Sequence, residues 1–121
     1  MIAMLQELKR GSTKLGPTYK KCVEIWSEVL DDAHDLSVED LAERLGSFQR
    51  RIENTCGTNR YLGKTIMAVS GFDYLYDEQA GFEDNLSLAA KLLKAFEQSM
   101  VSVEVKLMAK RAAALFRLDA S

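Results

Sequence analysis

The chain has little of what usually announces chemistry. Its 121 residues include one proline, one histidine and two cysteines. A structural zinc site takes about four Cys or His ligands, and three in total at unsuitable spacing do not supply one. A di-iron bundle needs paired Glu-x-x-His motifs, and Asp31-x-x-His34 is a single weak analogue. No metal and no cofactor is therefore expected. Cys22 and Cys56 lack CxxC spacing and fall at apolar, helix-facing positions, so buried free thiols are preferred over a disulfide. His34 is the only base that could activate a Ser or Cys nucleophile. Cys22 lies about 120° from it round a helix and about 18 Å along the axis. No catalytic residues, and no enzyme, are expected.

Other absences narrow the class further. No run approaches the roughly 18 apolar residues of a membrane span. The opening MIAMLQELKR has no basic stretch followed by an apolar one, so no secretory leader is expected and a cytoplasmic setting is the default. The formal net charge is -2, which argues against a bulk electrostatic nucleic-acid binder. The phosphate-binding patterns are missing too. Gly57 to Gly63-Lys64-Thr65 is one residue too long for GxxxxGK[ST], and no strand precedes it. Asp73, Asp77 and Gly81 lack the spacing and terminal Glu of an EF-hand.

What is present is apolar and helical. Some 47% of residues are hydrophobic, and a chain of this length buries about two thirds of its unfolded surface. Residues 1–121 read as a single domain, an all-α, up-down helical bundle of four to five helices. Met1, Met4, Leu5 and Leu8 mark a short first segment. Tyr19, Cys22, Val23, Trp26, Val29, Leu30 and Ala33 recur at steps of three and four, predicting a helix from Pro17 to His34. Ser37, with Asp40 three residues on, resembles a capping box. Leu41, Leu45, Phe48 and Ile52 then predict a helix from Val38 to Cys56, closed by Gly57. Asn59 is placed to cap the next helix, with Leu62, Ile66, Val69, Phe72 (or Asp73) and Tyr76 as its stripe. Thr65, Ile66 and Val69 would also suit a strand, but no second strand-like run exists to pair with it. Gly63, Ser70 and Gly71 would permit a close helix crossing.

Beyond Gly81, with Asp84 or Asn85 as cap, Leu86, Ala89, Leu93, Phe96, Met100, Val103 and Leu107 form a heptad stripe. A helix from Asn85 to Leu118 would span about 51 Å, against a globule diameter of roughly 35 Å. Such a helix must overhang, bend near Val101–Val105, or meet a second chain. Leu93, Phe96, Met100, Val103 and Leu107 are the expected partner-binding seam, an intramolecular core being the rival reading. The expected partners are a second copy of the chain (homodimer or higher) and another protein, with no membrane. The implied function is that of a non-enzymatic adaptor, chaperone-like or accessory protein.

Charge is segregated along the chain. Residues 24–43 carry eight acids and no base, and residues 44–66 carry five bases and one acid. Pairing between neighbouring antiparallel helices is the preferred explanation over a functional acidic patch. Within this region SVEDLAERLGSFQRRIEN, Ser37 to Asn54, resembles the helix-turn-helix of phage-repressor-like DNA-binding domains through Leu41, Ala42, Leu45, Gly46 and Ile52. That resemblance implies a turn at Gly46 and nucleic-acid contacts from Arg50, Arg51 and Arg60. Ser47 and Thr55 stand where the family carries aliphatic residues. One uninterrupted helix explains the same stripe and is preferred, leaving a DNA-binding regulator as the alternative function.

Overall fold

A computed structural model of the chain describes residues 15–57, 60–78 and 82–120. Among the described residues there are five α-helices and no strand: α1 (Leu15–Leu30), α2 (Val38–Cys56), α3 (Arg60–Glu78), α4 (Phe82–Gln98) and α5 (Val103–Ala120). The all-α expectation holds. The first segment through Leu8, and Asn59 and Gly81, lie outside the described residues, as do the side chains of Asp84 and Asn85.

α1 stops at Leu30, four residues before the expected His34. The next two residues are Asp31 and Asp32, and carboxylates at a helix C-terminus oppose its macrodipole. The chain tightens instead into a 3-10 turn at Ala33–Asp35. Lys91 of α4 donates to the Ala33 carbonyl and, at 3.4 Å, to that of His34. A cation thus occupies the place where the dipole favours one.

α2 has the expected bounds, and its two caps explain why. Ser37 Oγ accepts the Asp40 N–H at 3.0 Å. Gly57 takes a φ of 69° and donates its N–H to the Asn54 carbonyl at 3.3 Å, a conformation that favours glycine. Leu41, Leu45, Phe48 and Ile52 face the core as one stripe.

α3 is the central helix and packs against the other four. Every residue from Thr65 to Asp73 is buried. Burial on every side over this stretch leaves no polar face there, so the stripe through Ile66, Val69 and Phe72 does not mark one inner side and the run can be mistaken for a strand. Its small residues mark the closest approaches. A Cβ at Gly63 would lie 3.3 Å from Glu53 of α2, and one at Gly71 would lie 3.1–3.2 Å from Leu92 and the Trp26 ring. Trp26, Phe72 and Phe96 form the aromatic centre, with Phe96 6.1 Å from Trp26 and 6.2 Å from Phe72 between ring centroids. The Trp26 indole N–H has no acceptor among the described residues.

The single long C-terminal helix does not form. The chain leaves α4 after Gln98 and re-enters a helix at Val103. Ser99 Oγ donates to the Phe96 carbonyl at 2.8 Å. Ser102 opens α5, its Oγ accepting the Val105 N–H at 3.3 Å and its carbonyl accepting the Lys106 N–H at 3.1 Å. Both serines satisfy backbone groups that a continuous helix would have paired internally. At 17 and 18 residues, the two helices are each about 26–27 Å long, within the expected globule.

Candidate functional site

The break at 99–102 also turns the apolar stripe. Along α4 the buried positions are Leu88, Ala89, Leu92, Ala95 and Phe96. Continued in phase, that stripe would reach Met100, Val103 and Leu107. The buried positions after the break are instead Val101, Val105, Ala109, Ala112, Ala113 and Phe116. They lie two residues out of phase, about 200° round a helix.

The expected five-residue seam is therefore divided. Phe96 is wholly buried among core residues, and Leu93 is half-buried and packed against that core. Both contribute to the intramolecular core. Met100, Val103 and Leu107 are 94%, 71% and 56% exposed. Val103 and Leu107 stand one turn apart on the outer face of α5, with Met100 just ahead of the helix. Lys64 of α3 lies 3.6 Å from Glu104, and Thr65 Oγ1 lies 3.9 Å from the Met108 sulfur. Tyr61 precedes these two α3 residues by one turn and is also exposed, so register places it beside the start of α5. No spacing rule in the sequence connects it to residues forty positions away.

The outer face of α5 is basic beyond Leu107. Lys110, Arg111, Ala114 and Arg117 are exposed. At the far end of the α3–α5 pair, Tyr76 meets Phe116 edge-on with centroids 6.2 Å apart. The contacts Lys64–Glu104 and Tyr76–Phe116 advance together, so these two helices run parallel.

The uninterrupted helix preferred over a helix-turn-helix is the one observed, and the turn at Gly46 that the resemblance implies is absent. α2 continues through Gly46, where a Cβ would meet nothing within 4 Å, so no recognition helix is set off from a preceding one. Arg50 is exposed on α2. Arg51 is committed within the fold: its Nη1 donates to Glu28 Oε2 at 2.7 Å, and its guanidinium lies 5.1 Å from the Phe48 ring centre. Arg60 begins α3, and its side chain lies outside the described residues.

The charge blocks meet across the α1–α2 pair. Glu28 pairs with Arg51, and Asp32 lies 3.8 Å from Arg44. Contacts that rise along one helix and fall along the other make the two antiparallel, as the pairing explanation requires. The hydrogen bond from Arg51, with its charge, holds the Glu28 carboxyl below the usual glutamate range and raises the Arg51 pKa in return. All eight acids of residues 24–43 are nonetheless exposed.

The same antiparallel pairing brings Cys22 and Cys56 together as free thiols. Cys22 is pushed up because it donates its S–H to Cys56 and is buried, with the Cys56 charge adding to the effect. Cys56 is lowered by accepting that hydrogen bond, against burial and the charge of Glu53. Spacing along the sequence gave no sign of this contact, because only the fold of the hairpin creates it. His34 lies at the opposite end of the hairpin and is exposed. Between α1 and α2, Lys21, Glu24, Ile25, Glu28, Arg51, Asn54 and Thr55 line an open groove of about 370 Å³. The Glu28–Arg51 pair occupies its wall. Among the described residues, no three His, Cys, Asp or Glu side chains converge to hold a metal ion.

No helix among the described residues is long and apolar enough to cross a membrane. Comparison with known proteins finds no matching family model, no matching curated protein and no matching solved structure.

Proposed function

We propose that the chain is a non-enzymatic, protein-binding helical bundle, an adaptor or accessory protein that self-associates through the outer face of α5. The observation that carries this reading is the exposure of Val103 and Leu107 one turn apart on α5, with Met100 exposed just ahead of it. Scattered apolar side chains are ordinary on a protein surface, whereas a contiguous strip flanked by charge is the composition of an interface. The reading no longer needs an overhanging helix, since α4 and α5 each fit the globule. It rests on the strip alone.

The antiparallel α1–α2 pair and the parallel α3–α5 pair support an up-and-down order of the helices. A cytoplasmic setting would keep the adjacent Cys22 and Cys56 reduced, and we place the protein there. Light scattering on the full chain over a wide concentration range tests the function. The mass per particle should rise with concentration toward that of a dimer or a higher multiple. A constant monomer mass up to millimolar concentration would overturn the reading.

A further inference from the structure

The outer face of α5 carries charges in an order that is complementary to itself. Val103, Leu107, Lys110 and Ala114 follow one another along this face at steps of four, three and four, with Glu104 and Arg111 on one flank. Val103 and Leu107 are its apolar part, and Ala114 is the small residue near its far end. Glu104 stands near the start of the helix and Arg111 lies nearly two turns later.

We infer that a second copy of this chain docks on α5 across a two-fold axis at Leu107, with the two α5 helices antiparallel. This rests on the self-association reading above and adds its geometry. In an antiparallel two-fold pair, residues whose numbers share nearly one sum lie at the same height, and each flank faces the same flank of the copy. An axis at Leu107 sets Leu107 against its own copy, Glu104 against Arg111 on one flank and Val103 against Lys110 on the other. Each acid then meets a base, twice by symmetry. The stem of Lys110 can lie along Val103 with its head in water.

The parallel alternative would set Glu104 and Arg111 at different heights, and the loss of their pairing disfavours it. The Glu104 carboxylate is available for the contact. Its side chain is 64% exposed, and its 3.6 Å approach to Lys64 uses one oxygen. A two-fold contact of this kind is isologous and closed, so it stops at the dimer and does not propagate into fibres.

The test uses the full chain. Leu107→Cys, mildly oxidised, should give a disulfide-linked dimer, because residue 107 faces its own copy. Val103→Cys should not, and the wild type with its native thiols is the control. Glu104→Arg and Arg111→Glu should each weaken dimerisation about fivefold or more, and the double exchange should return it to near the wild-type value. These positions are exposed, and circular dichroism of each variant reports whether it remains folded. A wild type that stays monomeric overturns self-association itself, and the two-fold with it. A wild type that dimerises while Leu107→Cys fails to cross-link, or while the double exchange fails to restore association, overturns the two-fold alone and places the contact elsewhere.

Discussion

α4 and α5 carry one apolar rhythm in the sequence and two in the structure. Up to Phe96 the residues at heptad spacing point inward. After the break the same series, continued as Met100, Val103 and Leu107, points outward. Four residues account for the difference. In α4 the core is built by large side chains, Leu92 and Phe96. In α5 it is built chiefly by Ala109, Ala112 and Ala113, with Val105 and Phe116 near the ends. Small residues on the inner face let α5 lie close to α3, its principal neighbour. Larger apolar residues are left on its outer face. A helix that buries alanine and exposes valine and leucine is a physical inconsistency for an isolated monomer. It becomes consistent if the outer face is also covered.

The sharpest way to separate the two halves is to truncate one residue from each. Phe96→Ala removes a ring packed between Trp26 and Phe72 and should cost about 3–5 kcal/mol of folding stability, transfer and cavity together. Leu107→Ala should change stability by no more than about 0.5 kcal/mol in dilute solution, as surface substitutions do. Urea unfolding at low protein concentration measures both. Equal losses at the two positions would mean that α5 does not present Leu107 to solvent, and the comparison would collapse.

Much of the fold could be read from the residues where local chemistry acts alone. Ser37 and Gly57 set the ends of α2 because capping depends on neighbours within four positions. Gly63 and Gly71 marked close crossings because a missing side chain is the same in any context. Three features required the tertiary structure. α3 hides its character because burial on every side over residues 65–73 leaves no polar face there. α1 ends early through the repulsion between its dipole and Asp31–Asp32, a conflict visible in the sequence whose consequence was not. The break between α4 and α5 had no Gly or Pro to announce it, yet Ser99 and Ser102, three residues apart, were an available signal. Of the five seam residues, spacing alone could not separate Leu93 and Phe96 from Met100, Val103 and Leu107. Spacing reports which residues share a helix face only while the helix is unbroken.

The break itself can be probed at its cap, with a smaller expected effect. Ser102→Ala removes the acceptor for the Val105 N–H and should destabilise the protein by about 1 kcal/mol, as loss of an N-cap does. It should not join α4 to α5. A continuous helix would bring Val101, Val105 and Ala109 out of the core and turn Met100, Val103 and Leu107 into it, against the packing of α3. Helical content by far-ultraviolet circular dichroism should therefore match the wild type while the urea midpoint falls. A rise in helicity would show that the serine, and not the phase of the core, holds the two helices apart.

The smallest effect expected belongs to the region least involved in the α4–α5 contrast, and it calibrates the others. Glu28 and Arg51 join α1 to α2 through an exposed pair, with the carboxyl held below its ordinary range by the Arg51 hydrogen bond. A carboxyl with a lowered folded-state pKa contributes stability above its unfolded pKa and loses it as pH falls through the folded value. Glu28→Gln should therefore be slightly less stable than the wild type at neutral pH, and the two should converge in acid, once pH has fallen through the lowered folded-state value and the native carboxyl is protonated as well. Salt should narrow the neutral-pH gap, because an exposed pair is screened. Paired urea midpoints at the two pH values read this difference. A gap that persisted in acid would mean that residue 28 acts through packing and that the charge blocks of α1 and α2 do not hold the hairpin together.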